Sequence, residues 1–190
     1  MIEKTFVEGP GERFCIWVQG CSRHCRGCQA KHTWDKTKGE VFSTEEIFKK
    51  IKAQKNIEGV TFLGGEPFEQ AAALADIAKK CKTIGLSVLT FTGNTYEELL
   101  KLNDENINEL LKYTDLLIDG SFEKDKLDYS RAWVGSSNQR YIFLTDRYSM
   151  KDVENVKNKV EIRFEKNGKL FLNGMGNFER LIRDLVLLKE

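Results

Sequence analysis

Alternating strand and helix signals between residues 14 and 144 predict an α/β fold with a mostly parallel sheet. Three observations carry this expectation. Short apolar runs rich in β-branched and aromatic residues alternate with stretches whose apolar residues return at helical spacing. Four of the runs lead into polar loops that contain glycine. The length of 190 residues, 41% of them hydrophobic, suits one domain over 1–190 with one core, and no linker, repeat or composition shift divides it.

Phe14–Val18 reads as the first strand. Ser43-Thr44-Glu45-Glu46 supplies a helix start, followed by Ile47, Phe48 and Ile51 as a buried stripe. Val60–Leu63 is the second strand. A helix over Glu69–Lys82 follows, with Ala71, Leu74, Ala75, Ala78 and Cys81 on one face and Gly85 beyond it as a stop. Leu86–Phe91 is the third strand, and helical stretches follow at Glu97–Leu102 and Ile107–Tyr113. Leu116–Ile118 and Tyr141–Leu144 complete the strands of this part. After Ser149 the pattern changes. Lys151–Lys157 reads as a short helix, and Val160–Phe164 with Lys169–Leu172 as a hairpin turning at Glu165–Gly168. Asn177–Glu190 places Phe178, Leu181, Ile182, Leu185 and Val186 on one face of a last helix.

The strands run into Gln19-Gly20-Cys21, Gly64-Gly65-Glu66-Pro67, Thr92-Gly93-Asn94 and Asp119-Gly120-Ser121. Loops at the carboxyl ends of parallel strands converge, so the four describe one composite site. For any one loop, the glycine could equally do no more than make the turn.

Thirty Lys and Arg balance 29 Asp and Glu, which leaves no general field for nucleic acid or anionic lipid. No apolar run approaches the ~20 residues of a membrane span. Met1-Ile2-Glu3-Lys4 lacks the basic and apolar segments of a secretory leader, so a cytoplasmic protein is expected, with neither nucleic acid nor membrane as partner.

Of the five cysteines, Cys21, Cys25 and Cys28 fall within eight residues, an arrangement of metal ligands rather than of a disulfide framework. The Cx3C and Cx2C spacings let one loop wrap three corners of an iron–sulfur cube, with Gly27 allowing close backbone approach. A fourth iron then lacks a protein ligand, the mark of a catalytic site. Two other readings stand beside this one. A zinc site could recruit His24 or His32, and three structural cysteines could be buried, although Arg23, His24 and Arg26 around them argue against burial. Cys15 and Cys81 lie among apolar neighbours and read as core.

The Cx3CxxC motif, followed by Gly-Gly-Glu-Pro after the next strand, resembles the radical S-adenosylmethionine superfamily. Further blocks narrow the resemblance: Gly9-Pro10-Gly11 with Arg13, Trp17-Val18-Gln19-Gly20-Cys21, Thr33-Trp34, Thr92-Gly93, Leu117–Phe122, and Trp133 followed by Gly135-Ser136-Ser137-Asn138-Gln139. Together they are similar to the activating proteins of glycyl radical enzymes, in the branch that serves anaerobic ribonucleotide reductases. Gly27 stands where the superfamily at large has an aromatic residue, and glycine there is familiar in that branch. The resemblance runs from Gly9 to about Tyr148, and no motif accounts for the tail that follows.

The resemblance implies an incomplete, open (βα) barrel with mostly parallel strands over about 9–148. A C-terminal β-hairpin and helix over about 149–190 would pack on it. The chain is short for a complete barrel of ~250 residues, and an open side would admit a protein substrate. It implies a [4Fe–4S] cluster on Cys21, Cys25 and Cys28, with S-adenosylmethionine bound to the open iron through its amino and carboxylate groups. Gly64 and Gly65 would bring backbone close to that ligand, and Glu66 would accept from its ammonium. Gly27, Cys28 and Gln29 would flank the adenine, while Thr92 and Asp119 would reach the methionyl or ribose groups. Asp119 in an Asp-Gly pair could equally cap a turn.

The reaction implied is reductive cleavage of S-adenosylmethionine, leaving a glycyl radical on a partner, an anaerobic ribonucleotide reductase. Electrons would come from a flavodoxin- or ferredoxin-like donor. The cofactors carry the chemistry, so no catalytic side chain is expected beyond them. His24 and His32 would face solvent or partner, and Ser137, Asn138 and Gln139 would order their loop or touch the partner. Two alternatives remain. One is a radical enzyme acting on another glycyl radical enzyme, a peptide or a small molecule. The other is a non-enzymatic zinc or electron-transfer module.

Overall fold

The computed structural model describes residues 1–164 and 168–187. A six-stranded sheet runs in sequence order: β1 (Ile2–Thr5), β2 (Arg13–Val18), β3 (Gly59–Gly64), β4 (Ser87–Phe91), β5 (Leu116–Asp119) and β6 (Arg140–Phe143). The four central strands are parallel, and the edge strands β1 and β6 are antiparallel to their neighbours. The sequence reading lacked β1, a four-residue edge strand whose Glu3 and Lys4 break any apolar run.

The parallel strands are buried on both faces, which is why they read as near-continuous apolar runs. Alternate side chains point to opposite sides. Phe14, Ile16, Val60, Phe62, Val88 and Leu117 meet the helices. Leu89, Leu116 and Ile118 meet Ala132, Val134 and Tyr148 on the other side.

The helices are α1 (Thr44–Ala53), α2 (Ala71–Thr83), α3 (Tyr96–Lys101) and α4 (Glu105–Tyr113). Each N-terminus has an identifiable reason. Ser43 with Glu46 and Thr95 with Glu98 form capping boxes, and Asp104 accepts from Asn106 and Ile107. The expected start of α2 at Glu69 shifts to Ala71, because Pro67 and the Glu66 carboxylate on the Phe68 N–H hold Pro67–Gln70 in a 3₁₀ turn.

Arg13 is fully buried. Its guanidinium donates to Thr61 Oγ1 at 2.7 Å, Val60 O at 2.6 Å, Pro10 O and Ser87 Oγ at 3.0 Å each, and Tyr148 OH at 3.2 Å. The side chain thus ties four segments together under the sheet.

Beyond β6 the expected helix at Lys151–Lys157 reduces to a 3₁₀ turn at Met150–Asp152. Asn158 halts the run. Its side chain accepts from Trp133 N at 2.7 Å and donates to Arg131 O at 2.6 Å, which draws the chain onto the 129–134 segment. The expected hairpin forms from β7 (Val160–Phe164) and β8 (Leu170–Gly174), and α5 (Phe178–Leu187) follows. The expected turn at residues 165–167 and the core positions Leu185 and Val186 lie outside what is described. The hairpin docks on β1: Asn173 Nδ2 donates to Thr5 Oγ1 at 3.1 Å, Thr5 Oγ1 donates to Glu161, and Arg163 donates to Lys4 O. Among the described residues, no helix is long and apolar enough to cross a membrane.

Candidate functional site

A cavity of about 440 Å³ opens at the carboxyl ends of the parallel strands, the place that the strand-end loops predict. Its wall includes Cys21, Cys25 and Cys28. Their loop leaves β2 through Gly20, whose φ of +110° suits glycine, and is closed at its base. Gly20 N donates to Thr33 O at 2.8 Å, and Gln19 Nε2 donates to His32 O at 2.9 Å and Asp35 O at 2.8 Å.

Within the loop, Cys28 N donates to Cys25 O at 3.1 Å, so the Cx2C half is a turn. His24 stacks on Trp34 with ring centroids 4.6 Å apart. Arg23 reaches across the cavity rim, donating to Asn94 Oδ1 at 2.8 Å and Ser121 Oγ at 2.6 Å. It thereby fastens the cysteine loop to the loops after β4 and β5.

The three thiols are free and partly exposed, whereas Cys15 and Cys81 are fully buried. Burial raises the Cys21 thiol, offset in part by backbone N–H groups of Arg23 and His24. Burial pushes Cys81 further, to about 12, and lifts Cys15 well above the ordinary thiol range. Those two are inert core positions. Three thiols on the wall of one cavity are what a cluster could use, since its separate irons take separate thiolates.

Gly64, Gly65, Glu66 and Thr92 also line the cavity. The glycines are dictated by chain packing. A Cβ on Gly65 would stand 2.0 Å from Gly20 O, and one on Gly64 would stand 2.8 Å from Trp17 Cα. Gly65 N donates to Val18 O and Glu66 N to Gly20 O, each at 2.8 Å, so this loop is sewn to the start of the cysteine loop.

The Glu66 side chain is buried and triply bonded. Oε1 accepts from Phe68 N at 3.1 Å and Thr92 Oγ1 at 2.9 Å, and Oε2 accepts from Gly93 N at 2.9 Å. Burial raises its carboxyl, and these donors pull the other way. Oε2, which takes a single donor, has further acceptor capacity for a ligand cation.

Two expected ligand residues stand elsewhere. Asp119 is fully buried beneath the site and does not line the cavity. It accepts from Arg140 Nε at 3.0 Å and from Tyr96 N at 2.8 Å, so it caps α3 and pairs with Arg140. A short carboxylate at the last strand position points into the layer, and its neighbour Gly120 takes the wall position. Gly27, with φ of +83°, makes the turn before Cys28 and faces Lys124 rather than the cavity. Gln29 is on the wall and donates to Gly176 O at 2.8 Å.

Ser136, Asn138 and Gln139 order their loop. Gln139 Oε1 accepts from Gly135 N at 2.8 Å, Asn138 Nδ2 donates to Ser121 O at 2.7 Å, and Ser136 Oγ accepts from Glu123 N at 3.1 Å.

Sequence reasoning missed Glu8, Arg23 and the tail wall formed by Phe171–Met175 and Phe178. Glu8 is buried, accepts from Gly174 N at 2.7 Å, and is lifted by burial to about 7. A lone acid before Gly9-Pro10-Gly11 was its signal; the tail carried none.

The model of the 4Fe-4S single cluster domain family matches residues 7–142. The anaerobic ribonucleoside-triphosphate reductase-activating protein of Enterobacteria phage T4 is 31% identical over 147 residues, 74% of this chain and 90% of that one. The protein of that name from Pasteurella multocida is 36% identical over 141 residues, 70% of this chain and 88% of that one. The pyruvate formate-lyase 1-activating enzyme of Escherichia coli K12 is 31% identical over 164 residues, 83% of this chain and 62% of that one. On this match, and on the three thiols set around one cavity at the strand ends, the chain belongs to the 4Fe-4S single cluster domain family and, within the radical S-adenosylmethionine superfamily, to the group of the anaerobic ribonucleoside-triphosphate reductase-activating proteins.

Proposed function

We propose that this protein activates an anaerobic ribonucleotide reductase by installing a glycyl radical on it. The observation that carries the reading is the meeting of Cys21, Cys25, Cys28 and the Gly64–Glu66 loop on one cavity. In this reading Cys21, Cys25 and Cys28 hold a [4Fe–4S] cluster. When bound, the cluster and S-adenosylmethionine would supply the one-electron reductive chemistry by which a partner glycine loses a hydrogen atom.

The chain's own residues bind and orient. Glu66 accepts from the methionyl ammonium, held in place by Thr92 Oγ1 and Gly93 N. Gln29 and the backbone around Cys28 flank the adenine. Arg23 keeps the cysteine loop against the β4 and β5 loops, so that bound groups keep one geometry. Phe91, Phe122 and Phe171 in the wall help to exclude water from a reactive species. We read the sheet as part of an incomplete, open (βα) barrel whose open side faces the reductase. The electron donor in this reading is flavodoxin- or ferredoxin-like, and the thiols call for a reducing, cytoplasmic setting.

Electron paramagnetic resonance on the reconstituted protein mixed with reductase and a strong reductant tests the proposal. The expected result is a glycyl doublet that vanishes when the partner's glycine becomes alanine. Cofactor cleavage without a partner radical would move the assignment to another glycyl radical enzyme, a peptide or a small molecule.

A further inference from the structure

The tail lies beyond residue 142, where the family match ends, yet it supplies Phe171–Met175 and Phe178 to the cavity wall. Beside the Asn173 side chain on Thr5 Oγ1, two of its holds on the body near the cavity are through main-chain atoms. Gly174 N donates to Glu8 Oε1 at 2.7 Å, and Gly176 O accepts from Gln29 Nε2 at 2.8 Å. Side chains that grip backbone can grip any extended segment of similar shape.

Resting on the function proposed above, we infer that Asn173–Gly176 is an internal stand-in for the reductase's glycine-bearing segment. The surface beneath it, with Glu8 and Gln29, is where that segment docks once the tail is displaced. Three further observations support this. A cavity of about 440 Å³ has the size of a single small-molecule site, so a polypeptide segment needs space that the tail now fills. The tail is imperfectly satisfied where it is held: Asn173 Oδ1 and Arg163 Nε are buried without hydrogen-bond partners, which lowers the cost of release. Phe164, Leu170 and Phe171 are exposed on the hairpin, an apolar handle that an incoming protein can engage.

Amide hydrogen exchange on the reconstituted full-length protein with S-adenosylmethionine, with and without saturating reductase, tests the inference. Exchange over residues 170–176 is expected to rise about tenfold on binding, because the Gly174 amide loses Glu8 to the partner. Unchanged or stronger protection while the glycyl radical forms would overturn the inference and make the tail a fixed wall. A wild-type protein that leaves no radical would take down the function proposal and this inference together.

The Gly174→Ala variant adds a kinetic readout. Its Cβ would stand 2.2 Å from Lys159 O at a φ of +104°, a clash within the hairpin that shifts the 173–176 segment off the Glu8 and Gln29 side chains. If the tail is docked most of the time, its release should lower KM for the reductase about three- to tenfold while kcat holds. A raised KM with normal iron content would overturn the inference. If the variant loses iron, the exchange experiment on the wild type decides.

Discussion

Replacing Glu66 by Gln separates binding from architecture. The carboxylate takes two donors, Phe68 N and Thr92 Oγ1, on Oε1 and a third, Gly93 N, on Oε2. A glutamine oxygen can keep the first pair, which leaves its NH₂ group facing the Gly93 N–H. One buried donor then goes unmatched, at about 1–3 kcal/mol. For a chain of this length that lowers Tm by roughly 2–4 °C per kcal/mol. If Glu66 binds the methionyl ammonium as proposed, the variant loses a charge-assisted bond worth about 1.5–3 kcal/mol, roughly 10- to 150-fold in Kd. Anaerobic calorimetry with S-adenosylmethionine measures the second effect, thermal denaturation the first, and iron content should not change. Affinity within twofold of wild type, beside a lowered Tm, would refute the binding role and leave Glu66 as a loop tie.

Three further outcomes are expected. Alanine at Cys21, Cys25 or Cys28 should abolish the brown chromophore of the reconstituted protein, and alanine at Cys15 or Cys81 should keep it; stoichiometric zinc without iron in protein purified anaerobically would contradict this. Arg13→Leu should cost about 3–5 kcal/mol in urea unfolding, because it strands buried acceptors on four segments, at Pro10, Val60 with Thr61, Ser87 and Tyr148; a loss below about 1 kcal/mol would show that water replaces the guanidinium. Glu8 sits at about 7 when folded, against an ordinary 4.5, so the folded protein holds its proton longer. Its contribution is full below 4.5 and is lost as pH rises through about 7, roughly 3 kcal/mol in all. Glu8→Gln should therefore match wild type at low pH and exceed it above 7, and parallel stability curves would contradict the burial argument.

Local chemistry made much of this protein legible in its sequence. Ser43 with Glu46 marks the start of α1 because the capping box is complete within four residues. The three cysteines announce their cavity because their spacing is short and polar. What escaped depends on distant partners. Asp119 has the composition of a ligand, but Arg140 and the Tyr96 N–H claim it. Gly65 looks like room left for a cofactor, yet the neighbour that requires glycine there is Gly20 O. The helix signal at Lys151–Lys157 is genuine as periodicity, and Asn158 overrides it by bonding to residues 25 and 27 positions earlier. A short antiparallel edge strand such as β1 has too few residues to show a period.

The cysteine loop and the tail that covers it are held together by the Gln29–Gly176 bond across 147 positions. At a synthesis rate of about 5–20 residues per second, the ribosome delivers the loop roughly 7–30 s before its cover. For that interval the nascent chain presents its thiols through a mouth that the finished protein narrows. Iron and sulfide delivered during translation would meet an open bowl; delivered afterwards, they would reach thiols that stay partly exposed behind a narrower mouth. The order of residues along the chain therefore makes the proposed cluster site most open during synthesis, an advantage that moving the same hairpin to the N-terminus by circular permutation would remove.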